Sequence, residues 1–358
     1  MKFIKLILLL FIMSNTQTAA AIETENLPGW DLTDLYTSDS GAEKDIEKVA
    51  EKVNAFVANY KGNLAAGDPT ILLNSIKDYE EIKGIAGRIG TYAFLQYTVD
   101  MQDAKKSTFF QDVQERLNQI FSPMVFYSLE INEIDDSKMS KILENKEVAR
   151  YHTMIEEVRK MKPYQLSEKE EVIMNKKAIT SNSAWSRLFD ELMADLKFEV
   201  DGKEYTTSTL MELLSDRDEA VRKAGYLEFV RVLDENSRTL TLITNTLAKD
   251  KQISDELRGV KEVMKMRNLS NNIEDEVVDA LLSSVKEHYP KTSHRYYAIK
   301  AKVLGKEKLA FWDRNAPWPS DSDRLYEWEE AKQVVIEAYS DFSPKMAEIG
   351  QKFFVNPW

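Results

Sequence analysis

Apolar side chains recur every three or four residues along most of this chain, which is the period of one face of an α-helix. The run at residues 42–60 is the clearest, and Gly62 follows it as a candidate C-terminal cap. Its apolar positions are Ile46, Val49, Val53, Phe56, Val57 and Tyr60. Similar runs lie at residues 72–89, 109–132, 273–289, 294–304, 328–339 and 346–354. The pattern therefore predicts a fold built from paired helices.

Two local signals place helix boundaries in the first half of the chain. Pro123 interrupts the run at residues 109–132, and we expect a kink or break there because proline removes a helical hydrogen bond. Ser167 is followed three residues later by Glu170, the spacing of a capping box, in which each side chain satisfies a free backbone N–H of the first turn. This pair predicts a helix that begins at about Glu168.

A comparable start signal occurs at Ser215 and Asp218. The helix that it predicts has apolar residues at steps of three, and we expect them to form its buried face. They are Val221, Ala224, Leu227 and Val230. Further along the chain, residues 312–323 are rich in Pro, Asp and Ser, which predicts a loop or an extended segment.

One segment, at residues 196–205, departs from the helical spacing. Its apolar residues alternate with polar ones, as in a strand with one buried face. Asp201-Gly202 follows, and this dipeptide suits a tight turn with positive φ. These features predict a single β-hairpin in a fold that is otherwise nearly all-α.

The composition supports this fold class. Twelve glycines and nine prolines are few for 358 residues, which argues against an all-β fold with its many turns. The chain is long enough for two ordinary domains, and we place the boundary at the hairpin. It separates a helical N-terminal lobe at residues 22–195 from a second region at residues 196–358.

The charge and the lack of cysteine exclude several functions. A net charge of −12 would repel phosphate groups, so we expect no nucleic-acid partner. The absence of cysteine excludes disulfides, thiol catalysis and Cys-ligated zinc.

The start of the chain has the layout of an export signal. Two lysines form a basic start, residues 6–13 are an uninterrupted apolar run, and small residues lead up to Ala21. The apolar run is too short to span a bilayer, which takes about 20 residues. We therefore predict a signal peptide at residues 1–21, cleaved between Ala21 and Ile22, and an exported, periplasmic protein without a stable membrane anchor. Cleavage after Ala20 and an uncleaved N-terminal anchor are the alternatives.

A search for catalytic chemistry finds no site within the chain. Its three histidines are His152, His288 and His294. Two zinc ligands on one helix face need a spacing of three or four, whereas His288 and His294 are six apart with Pro290 between them. No glycine-rich phosphate loop and no G-x-S-x-G nucleophile motif is present. We therefore assign no catalytic, cofactor-binding or metal-ligating residue to this chain.

Five stretches share their sequence character and their order with a known family. They are LPGWDLTDLY (27–36), a stretch ending in LKFEVDG (166–202), SDRDEAVRKAGYLEF (215–229), HRYYAIKAKVLGKEKLAFWDRNAPW (294–318) and EEAKQVVIEAYSDFSPKMAEIGQKFF (329–354). Together they resemble oligoendopeptidase F, a family of zinc peptidases related to thimet oligopeptidase. The resemblance covers nearly all of residues 27–358, and the joint order of the stretches makes it specific.

The resemblance implies an almost wholly helical, two-lobed shell around a deep channel that admits short peptides. It also implies zinc, held by the two His of a His-Glu-x-x-His helix and by a downstream Glu, with the motif Glu as general base. This chain contains no such motif, so we expect it to lack the C-terminal zinc half and to need a full-length protein for zinc binding. The apolar ending FFVNPW supports an incomplete chain.

Two functional hypotheses follow. The first is an exported zinc metalloendopeptidase that hydrolyses short peptides, although family members are usually cytosolic; this chain would be its N-terminal fragment and inactive alone. The alternative is a non-catalytic helical remnant that binds peptides. Trp312, Arg314 and Trp318 lie nearest the missing half in family order, and both a substrate contact and simple packing beside a loop stay open for them.

Overall fold

The computed structural model describes residues 30–101, 103–319 and 324–356. Regular structure in these residues is helical except for two short strands, which confirms the prediction of a nearly all-α fold. No helix among them is long and apolar enough to cross a membrane. The predicted signal peptide, with its cleavage site at Ala21 and Ile22, lies outside the described residues.

The helices follow one another along the chain with mostly short connections. In chain order they are α1 (Asp39–Tyr60), α2 (Pro69–Val99), α3 (Ala104–Phe121), α4 (Phe126–Glu133), α5 (Asp136–Ile142), α6 (Lys146–Ala149), α7 (His152–Lys160), α8 (Glu168–Ala178), α9 (Asn182–Asp195), α10 (Thr207–Leu213), α11 (Glu219–Glu235), α12 (Ser237–Leu257), α13 (Lys265–Ser270), α14 (Asp275–His288), α15 (Ser293–Val303), α16 (Trp328–Phe342) and α17 (Pro344–Val355). Short turns of 3-10 helix lie at Ser122–Val125, Lys162–Tyr164 and Phe311–Asp313. The strands are β1 (Phe198–Val200) and β2 (Lys203–Tyr205).

The chain divides into two compact units. One is Leu32–Asp323, and the described residues of the other are 30–31 and 324–356. The first unit holds α1–α15 and the β-hairpin, and the second holds α16 and α17. The domain boundary between residues 195 and 196 stays a prediction.

In the second unit, α16 and α17 form a helical hairpin. Ser343 separates the two helices, and its hydroxyl accepts a hydrogen bond from the Met346 N–H in the first turn of α17. A Cβ at Gly350 would lie 3.0 Å from the ring of Tyr339, which is tighter than an ordinary contact. Glycine at this position therefore lets the two helices pack closely.

In the first unit, the predicted face of α1 is buried and forms the centre of the main hydrophobic core. Ile46, Val53 and Phe56 are each at most 2% exposed, in agreement with their spacing in the sequence. The Phe56 ring packs against Tyr127, with 5.3 Å between the ring centroids. Burial of one such side chain contributes roughly 1.5–3 kcal/mol to folding. The fully buried residues of this core lie between residues 42 and 155.

A buried carboxylate ties the end of α1 to α4. Gly62 follows α1 with a φ of +82°, a left-handed conformation that glycine adopts without steric cost. The C-cap is Lys61, one residue before the predicted Gly62. Glu130 on α4 accepts hydrogen bonds from the backbone N–H groups of Gly62 at 2.6 Å and Leu64 at 3.1 Å. The carboxylate thereby satisfies two donors in the turn that leaves the helix.

The two predicted helix boundaries of this half are confirmed. α3 ends at Phe121, and a 3-10 turn containing Pro123 separates it from α4. Ser167 accepts a hydrogen bond from the Glu170 N–H at 3.4 Å, and the Glu170 carboxylate accepts one from the Ser167 N–H at 3.0 Å. α8 begins at Glu168, as this capping box predicts.

A bidentate ion pair joins α8 to the end of α12. Arg258 donates from Nη1 and Nη2 to the two carboxylate oxygens of Glu171, at 2.6 and 2.8 Å. Its Nη1 also donates to the carbonyl of Tyr164 at 3.1 Å. Hydrogen bonding from Arg258 holds the pKa of Glu171 below its ordinary value, although partial burial opposes this shift. The pair therefore keeps its charges at neutral pH and connects parts of the chain 87 positions apart.

The predicted hairpin forms with the expected turn. β1 and β2 pair in antiparallel register across Asp201 and Gly202, whose φ values are +52° and +74°. Positive φ at both turn residues matches the twist of the flanking strands. Phe198 and Val200 are buried, and Phe198 stacks on Phe229 of α11 at 6.0 Å. The hairpin therefore packs against the helix that follows it.

Replacement of Glu130 by alanine should leave the N–H groups of Gly62 and Leu64 without partners. We expect Glu130→Ala to lower the free energy of unfolding by about 1–3 kcal/mol, measured by urea denaturation. Glu133→Ala is the matched control because Glu133 is exposed on the same helix, and its effect should stay within about 0.5 kcal/mol. Equal losses in the two variants would contradict the capping role of Glu130.

Candidate functional site

The three residues that sequence reasoning placed nearest to a catalytic region lie in one short segment after α15. They are Trp312, Arg314 and Trp318. Residues 314–319 contain no helix or strand, as predicted for the loop at residues 312–323, but the segment begins with a turn of 3-10 helix at Phe311–Asp313 that was not predicted. The reason is local, because the Asp313 carboxylate accepts a hydrogen bond from the Ala310 N–H at 3.1 Å and closes the turn.

Asp313 has no exposed surface, although it carries a carboxylate. Arg222 of α11 donates to its Oδ1 at 2.8 Å, and Lys306 donates to its Oδ2 at 2.5 Å. Lys306 also lies 2.5 Å from a carboxylate oxygen of Glu219, the first residue of α11. These two cations and two carboxylates are called the ion quartet below. Burial of Asp313 is tolerated because opposite charges and hydrogen bonds replace its water.

Arg222 also binds three backbone carbonyls. Its Nη1 donates to the carbonyls of Asp216 and Arg217, each at 2.8 Å, and its Nε donates to the carbonyl of Trp312 at 3.2 Å. The arginine is 3% exposed. It therefore joins the start of α11 to the 3-10 turn, which lies 90 positions later in the chain.

The charges of the ion quartet stabilise one another. Burial alone would raise the pKa of Asp313, but hydrogen bonds from Lys306 and Arg222 hold that pKa below its ordinary value. Burial would lower the pKa of Lys306, whereas its hydrogen bonds to Asp313 and Glu219 raise that pKa above its ordinary value. The hydrogen bond from Lys306 also lowers the pKa of Glu219. These three groups are therefore charged at neutral pH.

The ion quartet changes which face of α11 is buried. The predicted buried stripe is wrong at its C-terminal end, because Leu227 is 51% and Val230 is 44% exposed. Arg222 and Gly225 are buried instead, and a Cβ at Gly225 would lie 3.1 Å from Leu213. The helix is oriented by a polar contact with a residue 91 positions away, and apolar spacing carries no information about such a contact.

The start of α11 also differs from the prediction. Asp218 is the N-cap and accepts a hydrogen bond from the Ala220 N–H at 2.8 Å. Ser215 lies before this cap, so the predicted pairing of Ser215 with Asp218 is wrong. Because α11 begins at Glu219, Arg222 falls in its first turn, within reach of the carbonyls that precede the helix.

Trp312 makes contacts that fix its side chain beside α11. Its indole Nε1 donates to Glu219 at 3.2 Å, and Lys223 lies over the ring with its Nζ 5.2 Å from the centroid. Tyr226 packs on the same segment, with its ring 6.0 Å from that of Trp312. These contacts belong to packing beside a turn. A contact between Trp312 and a substrate stays a prediction.

Arg314 and Trp318 contact α15 in different ways. The carbonyl of Arg314 accepts a hydrogen bond at 2.8 Å from Lys300, a buried lysine of α15, while the side chain of Arg314 is exposed. The half-buried Trp318 packs edge-on against Tyr296 of α15, with 5.9 Å between the ring centroids. The segment is thus attached to α11 at one end and to α15 at the other.

The histidines do not form a metal site in the part of the chain that the structure describes. His152 lies 3.5 Å from Glu156 on the same helix, and the Nδ1 of His288 lies 2.7 Å from the carbonyl of Ser284. The His294 ring lies 6.0 Å from that of Tyr289. Among the described residues, no group of three or more His, Cys, Asp or Glu side chains is placed to hold a metal ion. These residues do not fit a zinc site.

Sequence reasoning missed three residues that organise this segment, namely Arg222, Lys300 and Lys306. Each is a cation on a helix or beside one, and no local pattern separates it from a solvated lysine or arginine. Lys306 and Asp313 do fall within one of the stretches that carry the family resemblance. Their position inside such a stretch is the signal that could have identified these charged residues.

Asp313→Asn keeps the shape of the side chain and removes the charge that balances Arg222 and Lys306. We expect it to lower the free energy of unfolding at pH 7 by about 3–5 kcal/mol in urea denaturation, because the buried Arg222 and the partly buried Lys306 lose a counter-charge. Glu307→Gln is the control, since Glu307 is exposed next to Lys306. Its effect should stay within about 0.5 kcal/mol.

The effect of Asp313→Asn should also depend on pH. The pKa of Asp313 is lower in the folded chain than its unfolded value of roughly 4. Its charge therefore contributes its full stabilisation above about pH 4, and that contribution is lost as pH falls through the folded pKa. The stability difference between the wild type and Asp313→Asn should shrink below pH 4, and a constant difference down to pH 2 would rule out a role for the charge.

Two family models match adjacent parts of the chain. The model described as oligopeptidase F matches residues 130–198, and the model described as peptidase family M3 matches residues 212–332. The second match includes the ion quartet and all three residues of the segment after α15.

Curated relatives match over most of the chain. Oligopeptidase PepF of Bacillus subtilis (strain 168) is 26% identical over 342 residues, which is 92% of this chain and 50% of the relative. An oligoendopeptidase F homolog of Lactococcus lactis subsp. lactis is 23% identical over 348 residues, or 94% of this chain and 56% of the relative. The chain thus spans about half the length of the curated relatives that it matches.

Solved structures share the fold. Oligoendopeptidase F from Enterococcus faecium superposes with a TM-score of 0.70 at 19% identity, covering 87% of this chain and 65% of that one. PZ peptidase A, solved with an inhibitor, gives a TM-score of 0.67 at 15% identity, covering 86% of this chain and 53% of that one. The shared helical fold agrees with the two matched regions and the curated relatives, and the chain belongs to the oligoendopeptidase F family of M3 peptidases.

Proposed function

We propose that this chain supplies the N-terminal part of a zinc-dependent endopeptidase that hydrolyses short peptides in an enclosed channel. The observation that carries the proposal is the pair of family matches, which follow each other at residues 130–198 and 212–332. Two adjacent matches are a stronger indication than one short match. The relatives' names, oligopeptidase and oligoendopeptidase, support short peptides as the substrate class.

The described residues would contribute structure rather than metal chemistry. They offer no group that fits zinc, so we place the metal ligands in the part of the relatives' length that this chain does not span. Within the chain, the ion quartet holds the Phe311–Asp313 turn against α11 and so fixes Trp312. In this proposal, Trp312 and Trp318 belong to the wall of the peptide channel.

A second candidate is a peptide-binding protein without catalytic activity. The specific observation in its favour is that the sequence contains no His-Glu-x-x-His motif. The described residues also form no metal-binding group. This candidate requires that the chain acts alone, whereas the peptidase requires further polypeptide.

The test of the proposed function starts from the encoding DNA. We expect the reading frame to continue past the Trp358 codon into a His-Glu-x-x-His motif, and we would express the whole frame. The product should bind one zinc per chain, measured by elemental analysis, and should cleave fluorogenic peptides of about ten residues. Cleavage should be lost with a chelator and restored by added zinc.

Two results would overturn the peptidase proposal. One is undiminished cleavage by a product that elemental analysis finds free of zinc. The other is a stop codon after Trp358. In that case the 358-residue chain itself should be tested for binding of labelled peptides by fluorescence anisotropy, and binding without cleavage would establish the second candidate.

We also propose that the protein is exported and begins at Ile22 after cleavage. Expression of the full frame in a Gram-negative host should yield a periplasmic product whose N-terminal residue, determined by mass spectrometry, is Ile22. Ala21→Arg should block this cleavage, because the residue before the cut must be small. A control substitution of Ile22→Leu should leave the cleavage in place. A product that keeps Met1 and stays in the cytosol would refute the export proposal.

A further inference from the structure

α14 is amphipathic, and its apolar side is about half exposed. Val277, Leu281 and Val285 are spaced four residues apart and lie on one side of the helix, which we call the α14 stripe. Their exposed fractions are 52%, 60% and 41%. No residue of α14 is buried. A helix of this length is marginal in water by itself, so its apolar side needs a partner.

α15 repeats this arrangement after a short turn. Tyr296, Ile299 and Val303 follow the spacing of one helix face and are 43–45% exposed, and we call them the α15 stripe. In α15, the buried residues are Lys300 and Ala301. The hydrogen bond from the Lys300 side chain to the Arg314 carbonyl thus holds α15 in place. Trp318 covers part of Tyr296, while Ile299 and Val303 stay exposed.

The later helices of the first unit bury few apolar side chains. Apolar residues of α1 with the same kind of spacing are almost fully buried. Between residues 233 and 319, by contrast, the buried hydrophobic residues of the described chain are Ile243, Ala301 and Ala316. The early helices of the unit enclose a hydrophobic core. The later helices instead expose apolar surface that a further segment could cover.

We propose that the α14 and α15 stripes form a docking surface for an apolar helical segment from the remainder of the peptidase. This inference rests on the proposed function. The length of the relatives supports this occupant, because PepF matches 92% of this chain with only 50% of its own length. A related polypeptide therefore carries about as much chain again, which is enough to cover both stripes.

The charges around the stripes describe the segment that would fit. Exposed Arg295 and Lys302 of α15 lie beside the α15 stripe on the helix surface. The docking segment should therefore present carboxylates opposite α15. A second copy of this chain is a weaker candidate, since two chains with a net charge of −12 each repel one another.

The test uses the full 358-residue chain and, as probe, the part of Bacillus subtilis PepF that its match leaves out. Hydrogen–deuterium exchange at residues 275–303 should slow at least tenfold when the probe is added. Exchange at residues 39–60 should not change, because α1 is already enclosed. Absence of any slowing at residues 275–303 would overturn the docking proposal.

A double variant and a matched control make the test specific. Leu281→Asn with Val285→Asn should weaken probe binding at least tenfold in titration calorimetry while the thermal midpoint of the chain stays unchanged. Val99→Asn is the control, because Val99 is 62% exposed on α2 and belongs to neither stripe. If the double variant unfolds the chain, the α14 stripe packs within the chain itself, and the proposal fails.

Light scattering identifies the competing occupant. A dimer of the chain alone that the double variant abolishes would assign the stripes to a second copy and overturn the proposal. The exchange readout needs neither zinc nor catalysis, so loss of the peptidase proposal would leave it intact. Conversely, zinc-dependent cleavage by a full-length protein whose residues 275–303 exchange freely would remove the docking inference alone.

Discussion

The buried carboxylate of Asp313 determines how the chain after the hairpin is arranged. It has no exposed surface, and its charge is balanced by Arg222 and Lys306. Removal of one partner from such a group leaves an uncompensated charge in the protein interior, which costs far more than a surface ion pair contributes. The 3-10 turn, the start of α11 and the loop after α15 therefore keep a single arrangement.

This constraint changes the distribution of apolar surface. Because the Arg222 side of α11 faces the ion quartet, Leu227 and Val230 of the same helix face outward. α14 and α15 also keep their apolar stripes exposed. The first helices need no such arrangement, since their apolar faces meet one another and enclose a core. Both kinds of surface occur in one chain of the oligoendopeptidase F family.

The sequence predicted features whose causes are local. The Ser167–Glu170 capping box, the break at Pro123 and the turn at Asp201-Gly202 each depend on a few neighbouring residues, and each is confirmed. The buried face of α11 was not predicted, because it depends on a contact 91 positions away. The turn at Asp313 was missed although the hydrogen bond that closes it, from the Ala310 N–H, is local. The spacing of apolar residues shows that a helix has an apolar face. It does not show whether a polar side of the same helix is buried instead.

The position of the main core along the chain has a consequence for synthesis. Its fully buried residues all lie between residues 42 and 155, and they come from helices that follow one another directly. Contacts between near neighbours in sequence form quickly, and domains fold as units while the ribosome is still adding residues. The α1–α7 region can therefore be complete before Arg222 or Asp313 has left the ribosome, and each later helix is added to a structure that already exists.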